Sequence, residues 1–189
     1  MTKLKWGMIG GGEGSQFGPA HRLGAQADGL FTFTAAALDH RPQQSRKYAQ
    51  RLGVAADRAY GDWQQMPAGE RHREDRIELV TVATPNASHF EITKAFLEAG
   101  INALCEKPMT MTVEEGEEIA RVAEKTGQIC AVNYCYSAYP MVRQARAMVR
   151  AGEIGKVRLV VTNFSHGQLY QQRRGRNTIR RLCLDYCQP

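Results

Sequence analysis

Residues Met8 to Arg22 read MIGGGEGSQFGPAHR, with glycines at 10, 11, 12, 14 and 18 set between a short apolar run, KLKWGMI, and a helix-like segment, GPAHRLGAQADG. Glycines directly after a strand and before a helix allow a tight turn and a close backbone approach to a ligand, with the helix N-terminal amides facing an anion. Gly10 and Gly12 fit the first two positions of a G-x-G-x-x-G turn, but the third falls on Ser15 and the next glycine, Gly18, comes three residues late. The spacing therefore predicts an enlarged phosphate-binding loop, although a glycine-rich turn alone is also compatible with a plain structural connection.

Working outward, LFTFTAAALD is a second strand that ends in Asp39, 21 residues after Gly18. An acid at that place can accept hydrogen bonds from the hydroxyls of an adenosine ribose. Strand, glycine turn, helix, strand and acid together point to a dinucleotide cofactor, NAD or NADP. Asp39 opposes a 2′-phosphate and favours NAD, while Arg41, with Arg46 and Lys47 beyond it, offers compensation for that phosphate.

The alternation continues. PQQSRKYAQRLG predicts a helix stopped by Gly53, IELVTVATP a buried strand broken by Pro85, and PAGERHREDR, 67–76, a solvated loop. Ser88 with Glu91 and Thr112 with Glu115 have capping-box spacing. The first box opens a helix with Ile92, Ala95, Phe96 and Ala99 on one face and Gly100 at its end. The second opens one with Gly116, Ile119, Ala120 and Ala123 on one face, ending at Gly127. QICAVNY predicts another strand, YPMVRQARAMVRAG a helix with Met141, Ala145, Met148 and Val149 on one face, and KVRLVVTNF, 156–164, a last strand. Strands and helices in alternation with short connections predict an α/β fold, a doubly wound parallel sheet of Rossmann type with helices on both faces. Ligands of such sheets bind outside the carboxyl ends of the strands.

Two further strand ends carry chemistry. VATPNASH places Thr84, Pro85 and Asn86 after a strand, a hydroxyl, a rigid extended step and a side-chain amide. INALCEKPMT ends in Glu106, Lys107 and Pro108, where the proline fixes the direction in which the acid and the lysine leave the strand. A partly desolvated lysine there can hydrogen-bond a substrate hydroxyl or carbonyl and favour its alkoxide-like form. A lone lysine is usually a solvated surface group; this one is set apart by its surroundings.

Composition narrows the class. At 189 residues and 43% hydrophobic, the chain can bury one core of about 100–150 residues without disulfide or metal staples. The N-terminus has no apolar run of signal-peptide length, and no stretch approaches the ~20 apolar residues of a membrane span, so a cytoplasmic protein is expected. Cysteines at 105, 130, 135, 183 and 187 show no Cys-x-x-Cys spacing; they read as reduced, mostly buried thiols, with neither a disulfide framework nor a metal site. The net charge is +6, of which +4 comes from residues 168–189, five arginines against Asp185. The body of the chain is nearly neutral and the basic character belongs to the tail.

The glycine turn closing on Gly18-x-x-His21, then Thr84-Pro85-Asn86, Cys105-Glu106-Lys107-Pro108 and Asn133-Tyr134, resembles the glucose-fructose oxidoreductase and inositol dehydrogenase family (Gfo/Idh/MocA) from about residue 3 to 165. The resemblance implies an NAD(P)-dependent dehydrogenase acting on a sugar, cyclitol or related polyol. It implies that Gly10, Gly12 and Ser15 lie against the pyrophosphate and Asp39 against the ribose. Thr84, Pro85, Asn86 and Glu106 would border the cofactor, with Asn133 near nicotinamide and substrate. Lys107 would be the catalytic lysine, and Tyr134 or Tyr136 would line the sugar pocket, ordinary packing being the competing role for both tyrosines. His21 and His89 read as satisfied helix histidines.

Family members are about twice this length, with a second domain whose open antiparallel sheet walls the substrate site and forms a dimer interface, so a homo-oligomer is implied for a full-length relative. The expected organisation is a dinucleotide-binding domain at 1–133, the opening helix and first strand of an incomplete α+β second domain at 134–167, and an atypical basic tail at 168–189. A chain with only the start of that domain is expected to bind cofactor but to turn over weakly or not at all. Two other readings stay open: a dinucleotide-binding regulator or sensor without catalysis, and a nucleic-acid contact through the arginine-rich tail.

Overall fold

The computed structural model describes residues 2–163. The chain divides into two compact units, Met1–Asn133 and Tyr134–Pro189. The first holds five parallel strands, β1 (Leu4–Gly10), β2 (Phe31–Ala37), β3 (Leu79–Ala83), β4 (Asn102–Glu106) and β5 (Cys130–Asn133), in the order β2-β1-β3-β4-β5. Between them run α1 (Gly18–Ala27), α2 (Pro42–Arg51), α3 (Gln65–Arg71), α4 (His89–Glu98) and α5 (Val113–Thr126). This is the Rossmann-type α/β fold expected. The strand order reverses between β1 and β3, which opens a crevice at their carboxyl ends.

Strand side chains alternate between two cores. Ile9, Ala35, Ala37, Val80, Val82, Ala103 and Cys105 face α3, α4 and α5, which contribute Met66, Ile92, Phe96, Leu97, Ile119 and Val122. Trp6, Met8, Ala36 and Leu38 face the opposite way, against Ala49, Tyr48 and Leu52 of the α2 region. Polar groups in this second core find partners: the Trp6 indole donates to Thr81 Oγ1 at 2.9 Å, and Ser45 Oγ accepts from Leu38 N at 2.9 Å. On that same face Leu104 is half-buried and Ala131 exposed, so the helices cover the β4–β5 end less completely than predicted.

Several local expectations need correction. The segment 67–76 is not a solvated loop: α3 occupies Gln65–Arg71, and Glu70 is fully buried. Its charge is tolerated because Arg58, itself buried, pairs with it through Nε and Nη2, while Tyr60 Oη and Ile77 N also donate to it. Thr112 caps α5 as predicted, accepting from Glu115 N at 3.3 Å, but Ser88 does not cap α4. A 3-10 turn at Asn86–Ser88 precedes α4, and Ser88 Oγ donates instead to Thr84 Oγ1 and Pro85 O, both at 2.8 Å. On α5, Val122 rather than Ala120 faces the core.

In the second unit α6 (Pro140–Ala151) ends at the left-handed Gly152. Its apolar residues Met141, Val142 and Val149 are exposed. The predicted strand at 156–164 does not form over 157–163, where Leu159, Val160 and Val161 are exposed and pair with no strand among the described residues. A β-strand needs a neighbour to satisfy its backbone, and none is supplied there. Phe164 and the basic tail at 168–189 lie outside the described residues. Among the described residues no helix is long and apolar enough to cross a membrane.

Candidate functional site at the strand ends

The glycine turn is built so that side chains are excluded from it. Gly10 (φ +74°) and Gly11 (φ +67°) adopt a left-handed backbone that glycine alone accepts without strain. A Cβ at Gly10 would press on the Ala83 carbonyl at the end of β3, and one at Gly12 on the Leu38 carbonyl after β2. The backbone thus passes between two strand ends with no spare room. Gly18, three residues later than the motif expects, packs its Cα against Gly11 so closely that any Cβ would overlap the Gly11 carbonyl. Gly18, not Ser15, therefore performs the close helix-to-turn packing. Ser15 closes the enlarged part of the loop: its N–H donates to Gly12 O at 3.0 Å and its Oγ accepts from Gly18 N at 3.1 Å, at the start of α1.

Asp39 follows β2 with a mostly covered carboxylate. Arg41 clamps it, donating from its backbone N to Oδ1 at 2.8 Å, from Nε to Oδ1 at 3.0 Å and from Nη2 to Oδ2 at 2.9 Å. The side-chain bonds from Arg41, then its backbone N–H, hold the Asp39 carboxyl down at about 2. The acid is ionised throughout the physiological range, and its charge is already matched by an exposed cation, Arg41.

At the third and fourth strand ends, His89 ties two turns together. From the first turn of α4 it lies buried with Nε2 2.9 Å from Thr84 O and Nδ1 2.6 Å from Pro108 O. Both partners are carbonyl acceptors, so one ring bridges the Thr84-Pro85-Asn86 turn and the Lys107-Pro108 turn, whose peptide bond is cis. Lys107 is half-buried at this junction.

Glu106, buried beside it, is held from α1, from the end of β5 and from its own strand end. His21 Nε2 of α1 lies 2.7 Å from Oε1, Asn133 Nδ2 at the end of β5 donates to the same oxygen at 2.7 Å, and Lys107 N donates to Oε2 at 3.3 Å. Burial pushes the Glu106 carboxyl up, but the bonds from His21 and Asn133, with the Lys107 amide, outweigh it and hold the group below its ordinary value. A folded value depressed below 4.5 means that the stabilisation is fully present above about pH 4.5 and is lost as pH falls through the folded value. Asn133→Ala removes one of these donors, so acid unfolding followed by circular dichroism is expected to begin at a higher pH than in the wild type; an unchanged acid midpoint would show that the amide does not support the ionised form.

The first unit thus brings together Gly10, Gly12, Ser15, Asp39, Thr84, Pro85, Asn86, Glu106, Lys107 and Asn133 at one edge of one sheet. Tyr134 and Tyr136 belong to the second unit, both exposed, with Tyr136 edge-on to Tyr139 at 5.4 Å between ring centroids. His21 and His89, read from the sequence as ordinary satisfied helix residues, are the ties of the site. Their signal was positional: each sits in the first turn of a helix that starts directly after a strand-end turn. Of the cysteines, Cys105 is buried, its thiol pushed up to about 12 chiefly by desolvation, and Cys130 is half-buried, but Cys135 is exposed, against expectation. Cys183 and Cys187 lie outside the described residues. Among the described residues no three His, Cys, Asp or Glu side chains converge on a metal position.

Comparison with known proteins agrees with this geometry. A family profile described as an oxidoreductase family with an NAD-binding Rossmann fold matches residues 4–134. An uncharacterised oxidoreductase, YfiI, from Bacillus subtilis is 46% identical over 165 residues, covering 87% of this chain and 42% of the relative. Levoglucosan dehydrogenase from Pseudarthrobacter phenanthrenivorans is 31% identical over 164 residues, covering 83% of this chain and 40% of that protein. The solved structure of an inositol dehydrogenase homologue from Azotobacter vinelandii, complexed with NADH and myo-inositol, superposes with a TM-score of 0.80 at 41% identity, covering 83% of this chain and 41% of that one. The chain therefore spans about two fifths of the length of these relatives. With the matching profile, the sheet order and the glycine turn all in agreement, the chain belongs to the Gfo/Idh/MocA oxidoreductase family, in its NAD-binding Rossmann part.

Proposed function

We propose that this chain supplies the dinucleotide site and the catalytic lysine of a dehydrogenase that oxidises a carbinol of a sugar, cyclitol or related polyol. The observation that carries the reading is the junction at His89, which holds Lys107 beside the crevice where the glycine turn rests on β3. The residues fit a dinucleotide because Gly10 and Gly12 lie too close to the Ala83 and Leu38 carbonyls to accept any Cβ, so the turn presents bare backbone to a phosphate. Gly10, Gly12 and Ser15 would hold the pyrophosphate and Asp39, with Arg41, the adenosine ribose. Thr84, Pro85, Asn86, Glu106 and Asn133 would border the nicotinamide half. When bound, the nicotinamide supplies the hydride acceptor. Lys107 donates to the substrate oxygen and favours its alkoxide-like form, while Glu106, fixed by His21 and Asn133, keeps the strand end from turning. A group outside the described residues moves the proton.

The relatives support the substrate class: besides levoglucosan dehydrogenase and the structure holding myo-inositol, they include a D-xylose 1-dehydrogenase (NADP(+)) from Hypocrea jecorina, 31% identical over 171 residues. The test grafts residues 2–163 in place of the matching segment of the Azotobacter homologue and follows reduction of NAD in the presence of myo-inositol. Turnover lost on Lys107→Ala is expected. A folded chimera that binds NADH and oxidises myo-inositol equally well with and without Lys107 would refute the assignment.

Cofactor choice rests on Asp39, which repels a 2′-phosphate, so NADH is preferred. Asp39→Ser removes the repulsion and leaves the Arg41 guanidinium to meet the phosphate. Competitive titration is expected to shift the NADPH-to-NADH affinity ratio upward by about tenfold or more; no shift would place the discrimination elsewhere.

A further inference from the structure

Arg22 lies on α1 beneath the glycine turn, 8% exposed. Its Nη1 donates to the Gly11 carbonyl at 2.9 Å and approaches Met8 Sδ at 3.8 Å; its Nη2 donates to Tyr48 Oη at 3.3 Å, and its guanidinium sits 5.7 Å from the Tyr48 ring centroid. Every one of these partners is neutral. Among the described residues the nearby acids are committed elsewhere, Glu13 to Gln44 and Arg51, and Asp39 to Arg41. A second cation, Arg51, stacks on the same Tyr48 ring at 5.6 Å. A buried guanidinium normally sits with a carboxylate, because desolvating the charge is costly unless a counter-charge repays it.

Resting on the dinucleotide reading of the turn, we propose that Arg22 is an electrostatic positioning residue for cofactor binding, its buried charge completed by the pyrophosphate. The link is the Gly11–Gly12 peptide. A cation hydrogen-bonded to its carbonyl polarises the unit, so that the Gly12 N–H at the other end becomes a stronger donor to an anion. The side chain thus reaches the ligand through the backbone.

This placement has a consequence that a purely structural arginine would not show. Removing a buried charge that lacks a counter-charge relieves the apo protein while weakening the complex. The experiment is calorimetric titration of the 189-residue chain with NADH, at low and high salt, for the wild type, Arg22→Lys, Arg22→Gln, Arg22→Met and Gly12→Val, with a thermal melt of each without cofactor. The expected result is that Arg22→Met and Arg22→Gln melt at or above the wild-type temperature yet bind NADH at least about tenfold more weakly, and that Arg22→Lys binds within about threefold of the wild type. NADH affinity within twofold of the wild type in a folded Arg22→Met or Arg22→Gln overturns the proposal. So does a loss of melting temperature in both that Arg22→Lys fails to rescue, which would make Arg22 a packing residue. If the wild type itself binds no NADH, the dinucleotide reading falls and takes this proposal with it; binding lost in Gly12→Val but kept in the neutral Arg22 variants sinks this proposal alone.

Discussion

Glu70→Ala is expected to destabilise the first unit by about 3–5 kcal/mol, lowering the urea midpoint by roughly 1–3 M. Four donors converge on this one fully buried carboxylate: Arg58 Nε and Nη2, Tyr60 Oη and Ile77 N. Truncation leaves Arg58, which is also buried, with only the half-exposed Asp75 for a counter-charge, and leaves the Ile77 amide without an acceptor. Leaving such groups buried costs far more than the net worth of an intact pair. Asp75→Ala serves as the contrast, since the Asp75 carboxylate is exposed and Arg58 keeps Glu70 as its counter-charge, so its loss should matter less. Tyr60 gives an independent readout. Its phenol is pushed up to about 12, first by burial and then by the charge and hydrogen bond of Glu70. In Glu70→Gln the charge is gone, so the phenolate absorbance should appear at lower pH. A Glu70→Ala variant as stable as the wild type would mean that the cluster is solvated in solution.

The second large effect is at Lys107. In the chimera described above, Lys107→Ala is expected to lower kcat by about 10²–10⁴ while NADH affinity changes little, because the lysine acts on the substrate oxygen and not on the pyrophosphate or ribose. Lys107→Arg should not restore the rate. A guanidinium is larger, planar and less able to adapt its proton affinity than an ammonium held at a half-buried strand end. A loss of NADH binding matching the loss of rate would instead assign Lys107 to cofactor binding.

The parts of the fold legible in the sequence were those fixed by local chemistry. The glycines at 100, 127 and 152 mark helix ends with a left-handed backbone, and Thr112 with Glu115 marks a helix start. Apolar runs ending in Gly10, Asp39, Thr84 and Glu106 are strand ends wherever the chain is met. What escaped notice depended on partners distant in sequence. The charges of α3 look exposed in the sequence until Arg58 is brought to Glu70, so its run predicts a solvated loop. The spacing of Ser88 to Glu91 predicts a cap, but Thr84 and Pro85 compete successfully for its hydroxyl. His21 and His89 became ties of the site only when three strand ends were laid side by side. The strand expected at 156–164 failed for the converse reason, since apolar periodicity states a preference and pairing requires a neighbour.

The central claim is that the turn at Gly10–Gly12 is a dinucleotide cradle. It is tested most directly by calorimetric titration of the 189-residue chain with NADH, beside a Gly12→Val variant shown by circular dichroism to be folded. The account predicts saturable binding at one site per chain in the wild type, lost in the variant because the added side chain collides with the Leu38 carbonyl and displaces the turn. A folded wild type that binds no NADH, or a Gly12→Val variant that binds it undiminished, would contradict the claim.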